Sequence, residues 1–178
     1  MLELVKFSKG SAAYFAGMAV LAPWLVAMKV GVITNTAAKE KLLSHFFSGM
    51  PIEKFDQLCQ SFTKTKLPSL IRPEAQAALN NHRKNGDEIV VVSASAQNWV
   101  SPWCIEQGIP YLCSKLVVKN GLLTGKLDGP NCNAAEKVNR IVQVYNPADY
   151  VNIFCYGDSS GDKEMIALAT KPFFRKFP

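Results

Sequence analysis

The sequence predicts an α/β fold, in which a domain with a parallel β-sheet follows an all-helical segment. Residues 1–67 contain helical patterns and no alternating β-branched run. In residues 68–178, helical patterns alternate with short apolar runs rich in β-branched residues, as in buried parallel sheets. The length of 178 residues suits one domain with a small appendage, and 48% hydrophobic residues exclude general disorder. We therefore predict a helical domain over residues 1–67 and an α/β domain over residues 68–178.

The first domain is predicted to consist of helices only. Thr36 is suited to cap a helix that ends at Gly49, and Pro51 opens the next helical pattern. The segment from Ser11 to Met28 carries no charge, and its length lies at the short limit for a membrane span. Because Pro23 interrupts the segment, we interpret it first as a pair of buried or membrane-surface helices and second as a membrane span.

Helices and strands alternate at the start of the second domain. Pro73 begins a helix that ends at Gly86, and "EIVVVS" then predicts a strand buried on both faces. A helix interrupted near Pro102 follows this strand. Asn120-Gly121, between two apolar runs, predicts a β-hairpin.

The remaining sequence predicts a helix, a strand, an acidic turn and a final helix. Asn133 and Glu136 have the spacing of a capping box at the start of the first of these helices. The strand "YVNIFCY" leads into the Gly/Ser-rich turn "GDSSGDKEM", which contains Asp158 and Asp162. Ligands of such sheets bind at the carboxyl ends of the strands, and this rule selects Ser93 and Asp158.

The first candidate site begins at Ser93. A hydroxyl followed by backbone N–H groups near a helix N-terminus can hold an anion, so Ser93, Ala94 and Ser95 are candidate phosphate-binding residues. The alternative is that Ser93 or Ser95 only caps the next helix. The segment lacks the G-x-S-x-G pattern of esterases, so Ser93 is not predicted to be a nucleophile.

Lys137 and the two aspartates complete the candidate residues. Lys137 lies in a capped helix, where it can face a phosphate as a point charge or remain an ordinary solvated lysine. Asp158 and Asp162 can offer oxygens to one hard cation such as Mg²⁺, or they can end the strand and cap the next helix. Taken singly, each residue favours a purely structural role. The order of the residues along the chain favours a phosphate and metal site instead.

Composition argues against two other kinds of site. The net charge is +6, but the basic residues are scattered and do not interleave with aromatic ones before the final "KPFFRKFP". Nucleic acid is therefore not a predicted partner. Five cysteines without a C-x-x-C pair, together with only two histidines, argue against zinc. Free thiols are typical of a reducing compartment, which predicts a cytoplasmic location.

A strand ending in Ser, a helix with Lys, and a strand ending in G-D-x-x-x-D follow one another here. This order resembles the second, third and fourth motifs of the haloacid dehalogenase (HAD) superfamily of phosphohydrolases. The segments "IRPEAQAAL", "NGLLTGKLDGPNC" and "YGDSSGDKEMIALA" resemble its phosphoserine-phosphatase-like branch, subfamily IB. The resemblance covers nearly the whole chain. It implies a Rossmann-like HAD core, with residues 1–67 as a helical cap between the first and second motifs.

The resemblance also implies a mechanism and roles for the candidate residues. Members of this superfamily form an aspartyl-phosphate on an Asp nucleophile, with Mg²⁺ as cofactor. Carried over to this chain, Ser93 and the following residues hold the phosphoryl group, and Lys137 stabilises its charge. Asp158 binds Mg²⁺, and Asp162 binds the metal or orients its ligands.

The first motif of the family, D-x-D-x-T after a strand, is not found in this chain. The only acid among the first 39 residues is Glu3. We therefore expect an N-terminally shortened phosphatase that lacks about 10 to 20 residues, a strand and its loop, and is inactive as written. Met1 would then be an internal methionine. The exposed sheet edges are expected to promote homo-oligomers.

The sequence leaves the substrate and a second class of function open. The leading hypothesis is an Mg²⁺-dependent phosphomonoester hydrolase. Its substrate is either a small soluble phosphate such as phosphoserine or a phospholipid-like phosphate at a membrane surface. The alternative is a non-catalytic phosphate- or metal-binding protein, or a membrane-associated interaction protein anchored by residues 11–28.

Overall fold

The first half of the chain is helical, as predicted, in the computed structural model, which describes residues 1–177. Its α-helices are α1 (Leu2–Lys29), α2 (Asn35–Phe47) and α3 (Ile52–Thr65). Pro51 immediately precedes α3, which confirms its predicted place. The predicted cap of α2 is wrong, because Thr34 and not Thr36 accepts the hydrogen bond of the Ala37 amide, at 3.1 Å. Thr34 stands three residues before that amide, which is the spacing an N-cap bond requires.

Helix α1 continues through Pro23, so the predicted interruption there is wrong. The backbone leaves helical geometry at Gly10 instead, where φ is 78° and ψ is 165°. Glycine adopts such a positive φ without the steric penalty of a Cβ atom. Beyond Gly10, α1 buries few side chains, and Phe15, Val20 and Val26 are more than half exposed. By length and composition alone, α1 is the one helix among residues 1–177 that could cross a membrane.

The second half alternates strands and helices, which confirms the predicted α/β class. Its strands are β1 (Val91–Ala96), β2 (Tyr111–Lys119), β3 (Leu122–Asp128), β4 (Phe154–Gly157) and β5 (Lys171–Phe174). Its α-helices are α4 (Pro73–Asn85), α5 (Gln97–Gln107), α6 (Ala135–Val144) and α7 (Lys163–Ala167). Helix α4 has the predicted limits, since it ends at Gly86 in a left-handed conformation. Helix α5 accommodates Pro102 without the predicted interruption.

The strands form two separate sheets. One has the order β1-β2-β3, with β1 parallel to β2 and the predicted hairpin joining β2 to β3 through Asn120-Gly121. The other contains β4 and β5 in parallel. Strand β5 was not predicted from the sequence, because its four residues include a proline and lie among basic residues. Strand β1 is only half-buried, which corrects the prediction of burial on both faces.

The helical half packs directly on the hairpin of the first sheet. The loop between α2 and α3, together with the first residue of α3, forms three backbone hydrogen bonds with the hairpin: Gly49 N to Leu123 O, Leu123 N to Met50 O, and Ile52 N to Gly121 O. Phe55 is fully buried and contacts both Phe47 and Trp99 edge-to-face. One hydrophobic core therefore extends from the three helices to β1, α5 and the hairpin.

Candidate functional site

Strand β1 carries an irregularity at the position of the first candidate site. Ser93 pairs with Cys113, whereas the next residue of β2, Ser114, pairs with Ala96. Ala94 and Ser95 are therefore extra residues on β1, as in a β-bulge, a feature that often re-aims side chains next to active sites.

Ser93 does not cap the following helix, and neither does Ser95. Helix α5 begins after Ala96 and has no side-chain cap, so the helix-cap alternative is wrong. The Ser93 hydroxyl instead accepts a hydrogen bond from the Ser95 backbone N–H, at 3.1 Å. The hydroxyl proton of Ser93 remains available to an acceptor, because a hydroxyl both donates and accepts.

Lys137 is a buried lysine and not the solvated one of the alternative interpretation, since its side chain is 7% exposed. Its Nζ donates to the backbone carbonyl of Val92, at 2.7 Å, and forms an ion pair with Asp162 Oδ1, at 2.8 Å. One ammonium group thus connects β1 with the turn that follows β4. Ser93 lies within β1 and not after it as predicted, because the strand begins at Val91 and continues to Ala96.

Helix α6 holds Lys137 in place without the predicted capping box. Ala134 precedes the helix with no side-chain cap, and the Glu136 side chain pairs with Arg140 at 2.8 Å. The start of α6 is fixed by the acidic turn instead, because the Ala134 N–H donates to the Gly161 carbonyl at 2.9 Å. A Cβ atom at Gly161 would overlap the side-chain amide of Asn133, so a larger residue here would require the Asn133 side chain to move.

The Asp162 carboxylate is buried and fully engaged. Its Oδ2 accepts from the Ser159 hydroxyl at 2.6 Å and from the Ser159 N–H at 2.9 Å, while Oδ1 faces Lys137. Burial alone would raise the pKa of Asp162, but the bonds from Lys137 and Ser159 outweigh it and lower the pKa to about 2. Asp162 is therefore an anion that organises the turn.

Asp158 lies on the outside of the same turn. Its side chain is 60% exposed, and Oδ2 pairs with Arg72 Nη2 at 2.8 Å. Its carboxylate does not share a partner with that of Asp162. No group of three or more His, Cys, Asp or Glu side chains within residues 1–177 is arranged to hold a metal.

Asp158 and Asp162 fit Mg²⁺ if Asp158 alone binds the ion directly. Magnesium usually keeps several waters and takes only one or two carboxylates together with substrate phosphate oxygens. The exposed Asp158 can supply one such oxygen. Both Asp162 oxygens are occupied by neighbours, which suits an orienting role for that residue better than direct ligation.

An apolar slot of about 980 Å³ lies between the two sheets, and Ser93 and Ser95 of the candidate site line it. Residues 89–93 line one side of the slot, and residues 153–156 line the other. Strand β1 pairs only with β2, and β4 only with β5, among the strands of residues 1–177. The slot therefore lies between two strand edges that lack a neighbour.

Comparison with known proteins identifies the family. The profile of the haloacid dehalogenase-like hydrolase family matches residues 3–167. The chain belongs to this family. Protein CicA of Caulobacter vibrioides (strain NA1000 / CB15N) is 34% identical over 141 residues, which cover 78% of this chain and 63% of that protein. The chain thus spans less than two thirds of this curated relative.

Solved structures agree with the HAD fold. A protein of unknown function from Bordetella pertussis Tohama I superimposes with a TM-score of 0.74 at 19% identity, covering 95% of this chain and 78% of that one. A probable phosphoserine phosphatase from Vibrio cholerae gives a TM-score of 0.67 at 16% identity, covering 93% and 49%. These likenesses confirm the predicted fold class, a Rossmann-like HAD core with a helical cap.

Three residues that lie in or next to the candidate site were not predicted from the sequence: Lys39, Arg72 and Asn131. Lys39 of α2 donates to the Ala94 carbonyl and to Asn131 Oδ1, and Arg72 pairs with Asp158. Lys39 and its neighbours "AAKEK" resemble any amphipathic helix, and no local pattern indicates that this side chain reaches β1. Of these residues, only Arg72 could have been found from the sequence, since it lies in "IRPEAQAAL", a segment that resembles the phosphoserine-phosphatase-like branch.

Proposed function

We propose that the protein is an Mg²⁺-dependent phosphomonoester hydrolase of the phosphoserine-phosphatase-like branch, subfamily IB, of the HAD family. The observation that carries the proposal is the buried Lys137, which contacts both the carbonyl before Ser93 and the carboxylate of Asp162. A buried ammonium beside a strand bulge that carries an available hydroxyl is suited to a phosphoryl group. We also propose that residues 1–67 are the substrate-selecting cap on a core of residues 68–178.

In this proposal each side chain has one task. The Ser93 hydroxyl donates to a phosphoryl oxygen, and the bulge of Ala94 and Ser95 gives the backbone the shape of a cradle. Lys137 holds the negative charge of the phosphoryl group, and Asp162 keeps Lys137 in position. Asp158 supplies the carboxylate oxygen for Mg²⁺, which when bound neutralises part of the phosphoryl charge.

Covalent transfer to a carboxylate needs an aspartate that faces the phosphoryl group. The unpaired edges of β1 and β4 support an additional strand as the element that carries this aspartate. A strand in the slot between them would join both sheets into one. We propose that this strand carries the D-x-D-x-T motif and belongs to the active form of the protein. Met1 lines the slot, so a strand placed there lies close to the start of α1. We propose that residues 1–178 alone bind phosphate and do not turn over.

A direct test replaces the proposed metal ligand. Asp158→Asn should weaken Mg²⁺ binding in the presence of inorganic phosphate by about tenfold, because the neutral amide removes the exposed carboxylate of the turn. Titration calorimetry measures this without any turnover. Glu164→Gln is the matched control, since it removes an exposed charge six positions away.

Equal Mg²⁺ affinity in wild type, Asp158→Asn and Glu164→Gln would contradict the metal site. If phosphate binds normally without Mg²⁺ and Ser93→Ala abolishes it, the alternative of a phosphate-binding protein without metal chemistry is favoured. If neither ion binds, the proposal of a phosphohydrolase fails.

The substrate is proposed to be either a small soluble phosphate such as phosphoserine or a phospholipid-like phosphate. The exposed apolar side chains of α1 favour the second, because Phe15 and Val26 are eleven residues apart and share one helix face. A cytoplasmic protein with this face can rest on a membrane surface. A membrane-associated interaction protein without phosphatase activity is the remaining alternative.

The double variant Phe15→Ser/Val26→Ser tests contact with lipid. We expect sedimentation with phosphatidylglycerol vesicles to fall about tenfold or more, since each buried apolar side chain contributes about 1.5–3 kcal/mol. Ile105→Ser, which removes an equally exposed apolar side chain on α5, should not change it. Identical sedimentation of all three proteins would leave the soluble phosphate as the substrate class.

A further inference from the structure

Lys39 reaches from α2 to the bulge that contains the proposed phosphate cradle. Its Nζ donates to the carbonyl of Ala94, and to Asn131 Oδ1 at 2.8 Å. Lys137 contacts the carbonyl of Val92. The two ammonium groups therefore bind carbonyls on either side of Ser93.

We propose that Lys39 binds an anionic oxygen of the substrate at the bulge of β1, which makes it a recognition residue contributed by the helical half. This inference rests on the proposed phosphohydrolase function. It adds a second cationic contact to the site and requires a ligand whose acidic groups can face Lys39 and Lys137 together.

The charges around Lys39 support this role. The other basic side chains nearby already have acidic partners: Lys137 with Asp162, Arg140 with Glu136, and Lys126 with Glu40. Within residues 1–177, Lys39 has only the two neutral acceptors. A half-buried cation without an ion-pair partner is costly, and a bound anion would offset that cost.

The hydrogen bonds of Lys39 leave room for a ligand. An ammonium group has three N–H donors, and Ala94 and Asn131 occupy two of them. Asn131 is itself buried and fixed by the Ser114 hydroxyl at 3.1 Å, so the acceptor that positions Lys39 is rigid. The third donor can therefore be directed at a ligand by contacts that exist without it.

Burial also makes Lys39 sensitive to pH. Desolvation lowers the pKa of Lys39 to about 8. The titratable and charged groups that surround it are the Met1 amino group, Glu40, Cys113, Cys132 and Arg140. The charged form, which attracts an anion, is therefore lost as the pH rises through about 8, and an anion bound to it would raise that pKa again.

The anionic oxygen has two possible sources, the phosphoryl group itself or a second acidic group of the substrate. Phosphoserine and phosphoethanolamine separate them, because the two molecules differ only in a carboxylate. If Lys39 binds the phosphoryl group, its loss weakens both ligands and inorganic phosphate alike. If it binds a second acid, its loss weakens phosphoserine alone.

The experiment is calorimetric titration of the chain with these three ligands in the presence of Mg²⁺, at low salt and pH 7. Lys39→Met should weaken at least phosphoserine binding about 10- to 100-fold, as expected for a lost hydrogen bond between charged groups. Lys41→Met is the matched control, since Lys41 lies on the same helix but stacks over Trp24. Thermal unfolding verifies that each variant is folded.

A pH series adds a readout that a merely structural lysine would not change. Wild-type affinity should fall above pH 8, whereas Lys39→Arg, which keeps its charge, should not show that fall. If Ser93→Ala weakens binding but Lys39→Met and Lys41→Met do not, the inference is overturned and the proposed function stands. If the wild-type chain binds none of the three ligands, both are overturned.

Discussion

Replacing Lys137 by methionine should lower the free energy of unfolding by about 3–5 kcal/mol, which is the usual cost of removing one partner from a buried ion pair. The side chains of Lys137 and Asp162 are 7% and 10% exposed, so the variant leaves a carboxylate without its cation in a desolvated place. Urea unfolding monitored by circular dichroism measures the change.

Two further variants show whether the loss comes from the pair. Lys163→Met removes an exposed charge beside the same turn and should change stability by less than about 0.5 kcal/mol. The double variant Lys137→Met/Asp162→Asn should recover part of the loss, because no buried charge is left unpaired and the amide oxygen can still accept from Ser159. A loss below about 1 kcal/mol for Lys137→Met would contradict the structural role of the pair.

The pair also sets an acid limit for the fold. The pKa of Asp162 is lowered from 3.8 to about 2 in the folded protein. Its contribution to stability is therefore fully present above pH 3.8 and is lost as the pH falls through about 2. The variant Lys137→Met lacks the interaction that lowers the pKa of Asp162 most. The part of the acid dependence that comes from the ion pair should therefore disappear.

Adding a strand ahead of Met1 should have the largest effect on function. An apolar, β-branched strand of about six residues that ends in D-x-D-x-T should raise hydrolysis of a phosphomonoester by on the order of 10³-fold or more. The reason is that the strand would fill the slot between β1 and β4 and bring a carboxylate to Ser93 and Lys137. Phosphate release from phosphoserine in the presence of Mg²⁺ measures it.

A control separates the strand from the nucleophile. The same extension with the first Asp replaced by Asn should fill the slot without restoring turnover. Hydrogen exchange of the β1 and β4 amides should slow equally in both extended chains, and self-association through open edges should decrease in both. Unchanged exchange in both would show that the slot does not take a strand. Slowed exchange without hydrolysis in the D-x-D-x-T chain would contradict only the catalytic assignment.

Local sequence patterns were sufficient where a short segment decides the structure. Asn120-Gly121 predicted the hairpin, since few residue pairs adopt two successive positive φ angles, and here φ is 50° and 75°. Pro73 and Gly86 predicted both ends of α4 for similar backbone reasons. The prolines inside α1 and α5 led to wrong predictions of helix interruptions, because a helix with enough other contacts tolerates the missing hydrogen bond.

The amino-acid sequence was enough to predict the α/β class, the HAD resemblance and the order of Ser93, Lys137 and the acidic turn. These features depend on residue type and on spacing along the chain. Tertiary structure alone decided how those residues are used. It buries Lys137 against Asp162, turns Asp158 outward to Arg72, and brings Lys39 to a carbonyl 55 positions away. Burial and pairing across such separations depend on how the elements pack, and periodicity within one element carries no information about them.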